Sequence, residues 1–416
     1  MALTLTASDR SMLNGELGES LALAMRILVA VGNTMGADAL LDITGAHIDG
    51  CLYQGPVGLD FVERIAADGG TVRVPTTLNV GSLDLLHPEV YRIDPDEVAA
   101  SRRLMQTYES LGCRPTWTCS PYHSEARPGF GEQVAWAESN AIVFANSVLG
   151  ARTHRYGDFI DICAAMTGRA PAAGLHIDEN RRGQIVFDVA SVAPELRTSD
   201  VFFPVLGHVI GSASGKLIPV IVGLDAATED QLKALGATAA AAGAVGMFHA
   251  VGITPEAPDL DTALGGESAP QHVEVTSQVL RHSRDELTTA KGDAVGAVSV
   301  GTPHASYEEI AELVELLAGR RSAVEAYVST GRATAERAES AGLLGALEAG
   351  GFTLVTDTCT YITPIIRSPG AVMTNSGKWA YYAPANLGVP VHFGSLGEVV
   401  ESAVAGRVLR NEALWG

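Results

Sequence analysis

Three cysteines stand where chemistry is most easily done. Cys359 lies in VTDTCTYITPI, directly after an apolar stretch that reads as a strand, and so at the rim where α/β folds bind ligands. Cys119 lies in PTWTCSPYHSEARPGFGE, ahead of a loop dense in polar and aromatic side chains, a composition more typical of binding than of packing. Cys51, in GAHIDGCLYQG, has His47 and Asp49 beside it, and glycines at 45, 50 and 55 that let backbone approach a ligand closely. Each also has a plainer reading as a small buried hydrophobe. Cys113 and Cys163, in ESLGCRPTW and FIDICAAMTG, read as structural. Five cysteines with no CxxC pair argue against a disulfide framework or zinc ribbon and suit a reducing compartment. Thiolates from separate loops can, however, converge on iron across any sequence distance.

Other residues offer binding chemistry. TNSGKWAYYAP sets a hydroxyl, a glycine and a cation, Ser376 to Lys378, at a strand end, well suited to a carboxylate. It is not a GxxxxGK[ST] loop and reads as following a strand without opening the helix such a loop requires. GSASGK at 211–216 fails the same test, so nucleotide binding is not expected. WAESNAIVFANSVLGART places Glu138, Asn140, Asn146, Ser147 and Arg152 in and around a helical stretch, as a site wall or as satisfied interior groups. His304 in VGTPHAS could be an acid, a base, a donor or a structural histidine. No GxSxG, HExxH or GxGxxG occurs in the right context, and no distinctive carboxylate pair suggests glycoside hydrolysis.

These residues need elements to hold them. Residues 8–36 carry Leu13, Leu17, Leu21, Ala24, Leu28 and Val31 near helical spacing, predicting a helix broken at Gly18 and stopped at Gly32. An apolar segment over Leu40 to Thr44, a helix over Val57 to Asp68 and a strand over TVRVP (71–75) follow. In the middle, IVFDVAS and DVFFPVLGHVIG read as apolar strands, and Thr254 to Ser268 as an exposed loop. A boundary near residue 285 separates N-terminal and middle α/β subdomains (1–285) from a C-terminal one (286–416). There AVGAVSVGTPHAS, VEAYVST, FTLVTDTC, AVMTNSG and VPVHFGS alternate with helices, the last of them capped by Ser395. That alternation predicts a doubly wound parallel sheet, with ligands outside the carboxyl ends of its strands.

Composition narrows the function classes. The chain has 416 residues, 47% of them hydrophobic and 18% charged, so it is a packed protein of more than one subdomain. Its net charge of −20 repels nucleic-acid backbones and anionic lipid surfaces, so neither is an expected partner. The N-terminus lacks a basic stretch followed by an apolar run, and apolar stretches are broken before spanning length, so a cytoplasmic protein without a transmembrane helix is expected.

Taken together, GAHIDGCLY, VPTTLNVGSLD, TCSPY, WAESNAIVFANSVLGART, GMFHAVGITPEAP, VTDTCT and MTNSGKWAYYAP resemble the catalytic large subunit of the aconitase X family, over nearly the whole chain. The resemblance implies an aconitase-like multi-subdomain α/β fold and a hydro-lyase acting on a small hydroxy acid. It also implies an iron centre, expected as a [2Fe–2S] cluster with mononuclear iron as the alternative. A small swivelling-domain subunit is the implied partner in a heterodimer, and by analogy its serine would remove the substrate proton.

Bacterial members are similar to cis-3-hydroxy-L-proline dehydratase, which yields pyrroline-2-carboxylate, and archaeal members to phosphomevalonate dehydratase. Where the archaeal pattern has GCPH this chain has GTPH, with Thr302, and Cys51 stands where that pattern has no cysteine. The resemblance therefore favours the bacterial type, and we infer that Cys51 substitutes for the missing third thiolate, giving Cys51, Cys119 and Cys359 as the metal ligands. It further implies His47, Gly50, Leu52 and Asn79 as substrate contacts and Ser376 and Lys378 as catalytic residues, beside which the polar residues Asn140, Ser147, Arg152 and His304 noted above stand as further substrate-binding candidates. Near the substrate loops only Arg73 and Lys378 offer cations, which ranks a phosphorylated substrate lower. A non-catalytic iron-binding protein of the same fold is the remaining alternative.

Overall fold

The computed structural model describes residues 3–124, 126–269 and 271–415; Glu125, in the loop after Cys119, lies outside them. The chain divides into two compact units. One runs to Leu83 and resumes over Ile93–Arg181, and the other takes Asp84–Arg92 and everything from Arg182 onward.

The first unit contains α1 (Glu19–Met35), β1 (Gly45–Ile48), β2 (Thr76–Leu78), α2 (Pro95–Ser110), β3 (Val134–Trp136), α3 (Ser139–Phe144) and α4 (Ile160–Thr167). Three of its strands form a parallel sheet in the order β2-β1-β3, with His47 opposite Thr77 on one side and Trp136 on the other, and the short strands Leu40–Asp42 and Arg169–Pro171 pair antiparallel apart from it. A short helix over Ala7–Leu13 precedes α1, and the break between the two ends at Gly18, the N-cap of α1; α1 then runs through Gly32 to Met35 and stops at Gly36, whose φ of 72° favours glycine. Gly32 serves packing instead: the Leu3 side chain lies 3.2 Å from where its Cβ would be. TVRVP is not a strand. Val72 and Arg73 give their N–H groups to the carbonyls of Leu111 and Ala165, so the ladder begins only at Thr76.

The second unit opens with β4 (Ile185–Asp188), α5 (Phe202–Ser214), β5 (Pro219–Val222), α6 (Glu229–Ala242), β6 (His249–Ala250), β7 (Gln271–Glu274) and α7 (Ser277–Glu286). The strands form a parallel sheet ordered β6-β5-β4-β7. DVFFPVLGHVIG, expected as a strand, is most of α5. The helix is buried almost all round, so its sequence has no polar stripe from which the 3.6-residue period could be read. Tertiary packing decides: a Cβ at Gly207 would fall 2.3 Å from the Leu235 carbonyl oxygen, so glycine lets α5 lie close on α6.

The unit continues with β8 (Ala297–Ala305), α8 (Tyr307–Leu317), β9 (Glu325–Thr330), α9 (Arg332–Ser340), β10 (Phe352–Val355), β11 (Val372–Thr374), α10 (Gly377–Leu387), β12 (Val391–Phe393) and α11 (Leu396–Ala405). All five strands are parallel in the order β10-β9-β8-β11-β12, the doubly wound arrangement, with the reversal of direction at β8. Val298, Val300, Ile310, Leu313, Val328, Val399 and Val400 fill its core. Ser306 with Glu309 and Ser395 with Glu398 form capping boxes that start α8 and α11. The helix expected after β9 is cut at Gly342, where φ is 76°, and resumes over Leu343–Ala349. Among the described residues, no helix is long and apolar enough to cross a membrane.

Candidate active site

At the switch point of the five-stranded sheet, three strand ends carry polar groups. β8 carries His304 as its penultimate residue, which is fully buried and donates from Nε2 to the Thr358 carbonyl at 3.1 Å. A carbonyl can only accept, so neutral His304 carries its proton on Nε2 and has its lone pair on Nδ1. Beyond β10, the chain turns through Thr356–Cys359. His304 and Cys359 are both buried, and their ligand atoms lie within 4.8 Å of each other. A thiolate beside an imidazole suits iron or zinc, so these residues fit a metal of that kind.

The turn is braced on both sides. Asp357, at φ 60°, accepts from Arg332 through Nε and Nη2, each at 2.7 Å, and from the Leu85 N–H at 3.1 Å. Asp84 accepts from the Thr356 N–H and hydroxyl at 2.7 and 2.9 Å. Thr360 joins three elements, meeting Ser299 Oγ of β8 at 2.6 Å and accepting from Trp379 Nε1 of α10 at 2.9 Å. Burial raises the Asp357 pKa, and Arg332 partly offsets that shift.

Beyond β11, Asn-Ser-Gly-Lys does open a helix: Ser376 is the N-cap of α10, its Oγ accepting from the Trp379 N–H at 3.0 Å. Lys378 is buried in the first turn. A cation in the first turn of a helix suits a carboxylate. Thr302 and Ser376 line a small cavity of about 30 Å³, and Thr302 Oγ1 is buried there with no hydrogen-bond partner among the described residues. A larger cavity of about 420 Å³ is walled by Asp200, Asp230, Glu308, Glu309 and Glu312, which disfavours an anionic occupant.

In the first unit, His47 sits on β1 with Nδ1 2.8 Å from Thr77 Oγ1. Burial lowers its pKa to about 4, so the ring is neutral at pH 7. Gly50 and Cys51 are buried in the turn that follows β1, with half-buried Leu52 next to them. A Cβ on Gly50 would lie 2.8 Å from the Tyr108 hydroxyl, so only glycine fits. The Cys51 thiol donates to the Ile48 carbonyl at 3.4 Å, and burial with nearby Asp161, Cys113 and Asp49 raises its pKa well above the usual value. Asn79 follows β2 and donates from Nδ2 to Asp49.

Cys119 is buried, and its carbonyl accepts from Asn140 Nδ2 at 2.8 Å, while the Asn140 Oδ1 accepts from the Tyr122 hydroxyl at 3.1 Å. Asn140 therefore anchors the Cys119 loop. Ser147 is buried in the π turn Ala145–Leu149 that continues α3. Arg152 is buried, and its guanidinium is engaged by Asp178 at 2.8 Å and the Gly150 carbonyl at 2.6 Å. Asp161 and Arg332, with the strand-end residue Asp357, support these loops, and the first two carry little signal in the sequence. The one local signal was an acid at the start of an otherwise apolar helix, FIDICAAM.

Residues 2–179 match the aconitase X first domain, residues 183–285 its second and residues 295–405 its third. The chain belongs to the aconitase X family. Its aconitase X relatives include the cis-3-hydroxy-L-proline dehydratases of Pseudomonas aeruginosa, 43% identical over 99% of this chain and 72% of that one, and of Hypocrea jecorina, 40% identical over 98% and 69%. The phosphomevalonate dehydratase large subunit of Methanosarcina mazei is 36% identical over 97% of this chain and 98% of its own length. A crystal structure of Thermococcus kodakaraensis aconitase X, described as the holo form, aligns with a TM-score of 0.87 at 31% identity, covering 96% of this chain and 100% of that one. These relatives are dehydratases, and the activity class of this chain is hydro-lyase.

Proposed function

We propose that this chain is the large subunit of a dehydratase that converts cis-3-hydroxy-L-proline to pyrroline-2-carboxylate. The observation that carries the reading is the switch-point rim of the second unit, where the Cys359 and His304 ligand atoms lie within 4.8 Å of each other. Identity of 43% to a cis-3-hydroxy-L-proline dehydratase, against 36% to a phosphomevalonate dehydratase large subunit, supports the substrate. The acidic residues around the Cys51 loop, Asp49, Asp158 and Asp161, would oppose a phosphate.

In this reading Cys359 and His304 hold iron, and the family resemblance is what makes Cys119 the candidate for a further thiolate. Cys51 remains the rival for a third position, although its burial and then its acidic surroundings disfavour a thiolate. Bound iron would supply Lewis-acid stabilisation of the departing hydroxyl. The protein's own groups do the rest. Lys378 and the first turn of α10 hold the carboxylate, and the braced turn at Asp357 keeps Cys359 in place. Orienting the substrate in this way can remove roughly 7 kcal/mol or more from a barrier. The proton acceptor belongs to the small swivelling-domain subunit.

The test is anaerobic purification, quantification of iron and sulfide, and assay of pyrroline-2-carboxylate with and without the small subunit. Two irons and two sulfides per chain would mark a [2Fe–2S] cluster, and iron without sulfide a mononuclear centre. Cys359→Ser and Cys119→Ser should each lose iron. Saturable turnover of phosphomevalonate with none of hydroxyproline would overturn the substrate assignment.

A further inference from the structure

Two polar couples sit side by side on one face of the first unit's sheet. The register sets His47 opposite Thr77 and Ile48 opposite Leu78, so the next step brings Asp49 beside Asn79. Side chains two residues apart share a face, which puts both couples on the same one. Asn79 donates from Nδ2 to Asp49 Oδ1. A carboxylate only accepts, so the Asn79 amide must turn its nitrogen to Asp49 and its oxygen away. That oxygen is buried with no hydrogen-bond partner among the described residues, and Asn79 is only 3% exposed. A buried acceptor left unmade in this way calls for a donor that is not part of the chain.

The orientation is fixed from behind. Asp161, fully buried, accepts the Asp49 N–H at 2.7 Å through Oδ2 and the Ile162 N–H at 2.7 Å through Oδ1. The Asn79 N–H is itself held by the Ile48 carbonyl at 2.9 Å. Asp161 thus locks Asp49, and Asp49 locks the amide. With a carboxylate behind its nitrogen, the amide presents the negative end of its dipole, which attracts a cationic donor more than a neutral one and repels an anion.

We propose that Asp161 and Asp49 are positioning residues that hold the Asn79 amide oxygen toward the substrate, where it selects a protonated amine. This rests on the substrate reading above, since the ring nitrogen of hydroxyproline is such a donor. The specificity lies in hydrogen-bond polarity: an acceptor locked in place recognises the ring nitrogen and discriminates against a ligand that offers only oxygen acceptors there.

The test compares two competitive ligands of the iron-loaded enzyme with its small subunit. L-Proline donates from its ring nitrogen, and tetrahydrofuran-2-carboxylate has a ring oxygen that cannot. The wild type should bind L-proline about tenfold tighter or more. Asn79→Leu, similar in size, should bring the two within about twofold. Asp49→Asn, which no longer dictates the amide's orientation, should give an intermediate ratio and decides the matter if Asn79→Leu does not fold. Asp161→Asn should raise KM for cis-3-hydroxy-L-proline more than it lowers kcat. A merely structural role would weaken both ligands alike and leave the wild-type ratio intact in the variants, and that result overturns the proposal. Turnover of hydroxyproline with equal binding of the two acids also overturns it while the substrate reading stands. No turnover of hydroxyproline, with the L-proline preference kept and lost in Asn79→Leu, sinks the substrate reading and supports the proposal.

Discussion

Replacing Arg332 by Met tests whether the Cys359 turn depends on its ionic brace. Asp357 is fully buried as a side chain and receives two 2.7 Å bonds from a guanidinium whose own side chain is 29% exposed. Removing one partner of a buried pair costs about 3–5 kcal/mol, because the remaining charge is left uncompensated. The partial exposure of Arg332 screens the pair, so the lower end, about 3 kcal/mol, is expected. At about 2–4 °C per kcal/mol for a unit of this size, the second unit should melt about 6–12 °C lower. Calorimetry on the iron-loaded and iron-free protein reads this directly, with iron content as the second measure, since Asp357 lies two residues from Cys359. Arg332→Lys keeps the charge and loses the fork, so it should recover only part of the loss. Arg332→Met with Asp357→Asn should also recover part, because no buried charge is stranded. A melting point within about 2 °C of wild type, with full iron, would refute the reasoning.

Lys233 is 2% exposed and pairs with Asp230 at 2.8 Å and with Glu309, so Lys233→Met should cost about 3–5 kcal/mol by denaturant unfolding, partly restored by Glu309→Gln. Gly50→Ala should cost about 1–3 kcal/mol through its clash with the Tyr108 hydroxyl; because that hydroxyl has no hydrogen-bond partner among the described residues, Tyr108→Phe should be tolerated alone and should rescue the alanine variant. Burial raises the Asp161 pKa from 3.8 to about 7, so the folded state holds a proton that the unfolded state releases between pH 4 and 7. The stability contributed by Asp161 is therefore greatest below pH 4 and lost as pH rises through 7. Relative to Asp161→Asn, the wild type should lose unfolding free energy over that window, and a pH-independent difference would contradict the shift.

Much of the second unit was legible in the sequence because its signals are local. Capping boxes such as Ser395 with Glu398, glycine stops and alternating amphipathic helices each lie within a few residues, and together they specify a five-stranded doubly wound sheet. The motifs that mark the aconitase X family are likewise contiguous. α5 was not legible, since a helix buried almost all round has the same unbroken apolar run as a buried strand, and only its packing on α6 through Gly207 tells them apart. TVRVP has a strand's residues, yet its donors are taken by Leu111 and Ala165, far away in the chain.

The support of the candidate site belongs to the same second kind. Nothing in FIDICAAM or GAHIDGC alone says that Asp161 receives the Asp49 N–H, 112 residues away, or that strand register sets Asp49 against Asn79. Nor does VTDTC announce that Arg332 and Leu85 hold Asp357. Sequence by itself determined the family, the class of chemistry and the alternation of elements, because these are written in residue type and short spacing. Tertiary structure decided which buried charges are paired, which amide is turned and which thiol lies beside an imidazole. Those depend on burial and on register between distant strands, and both exist only once the chain has folded.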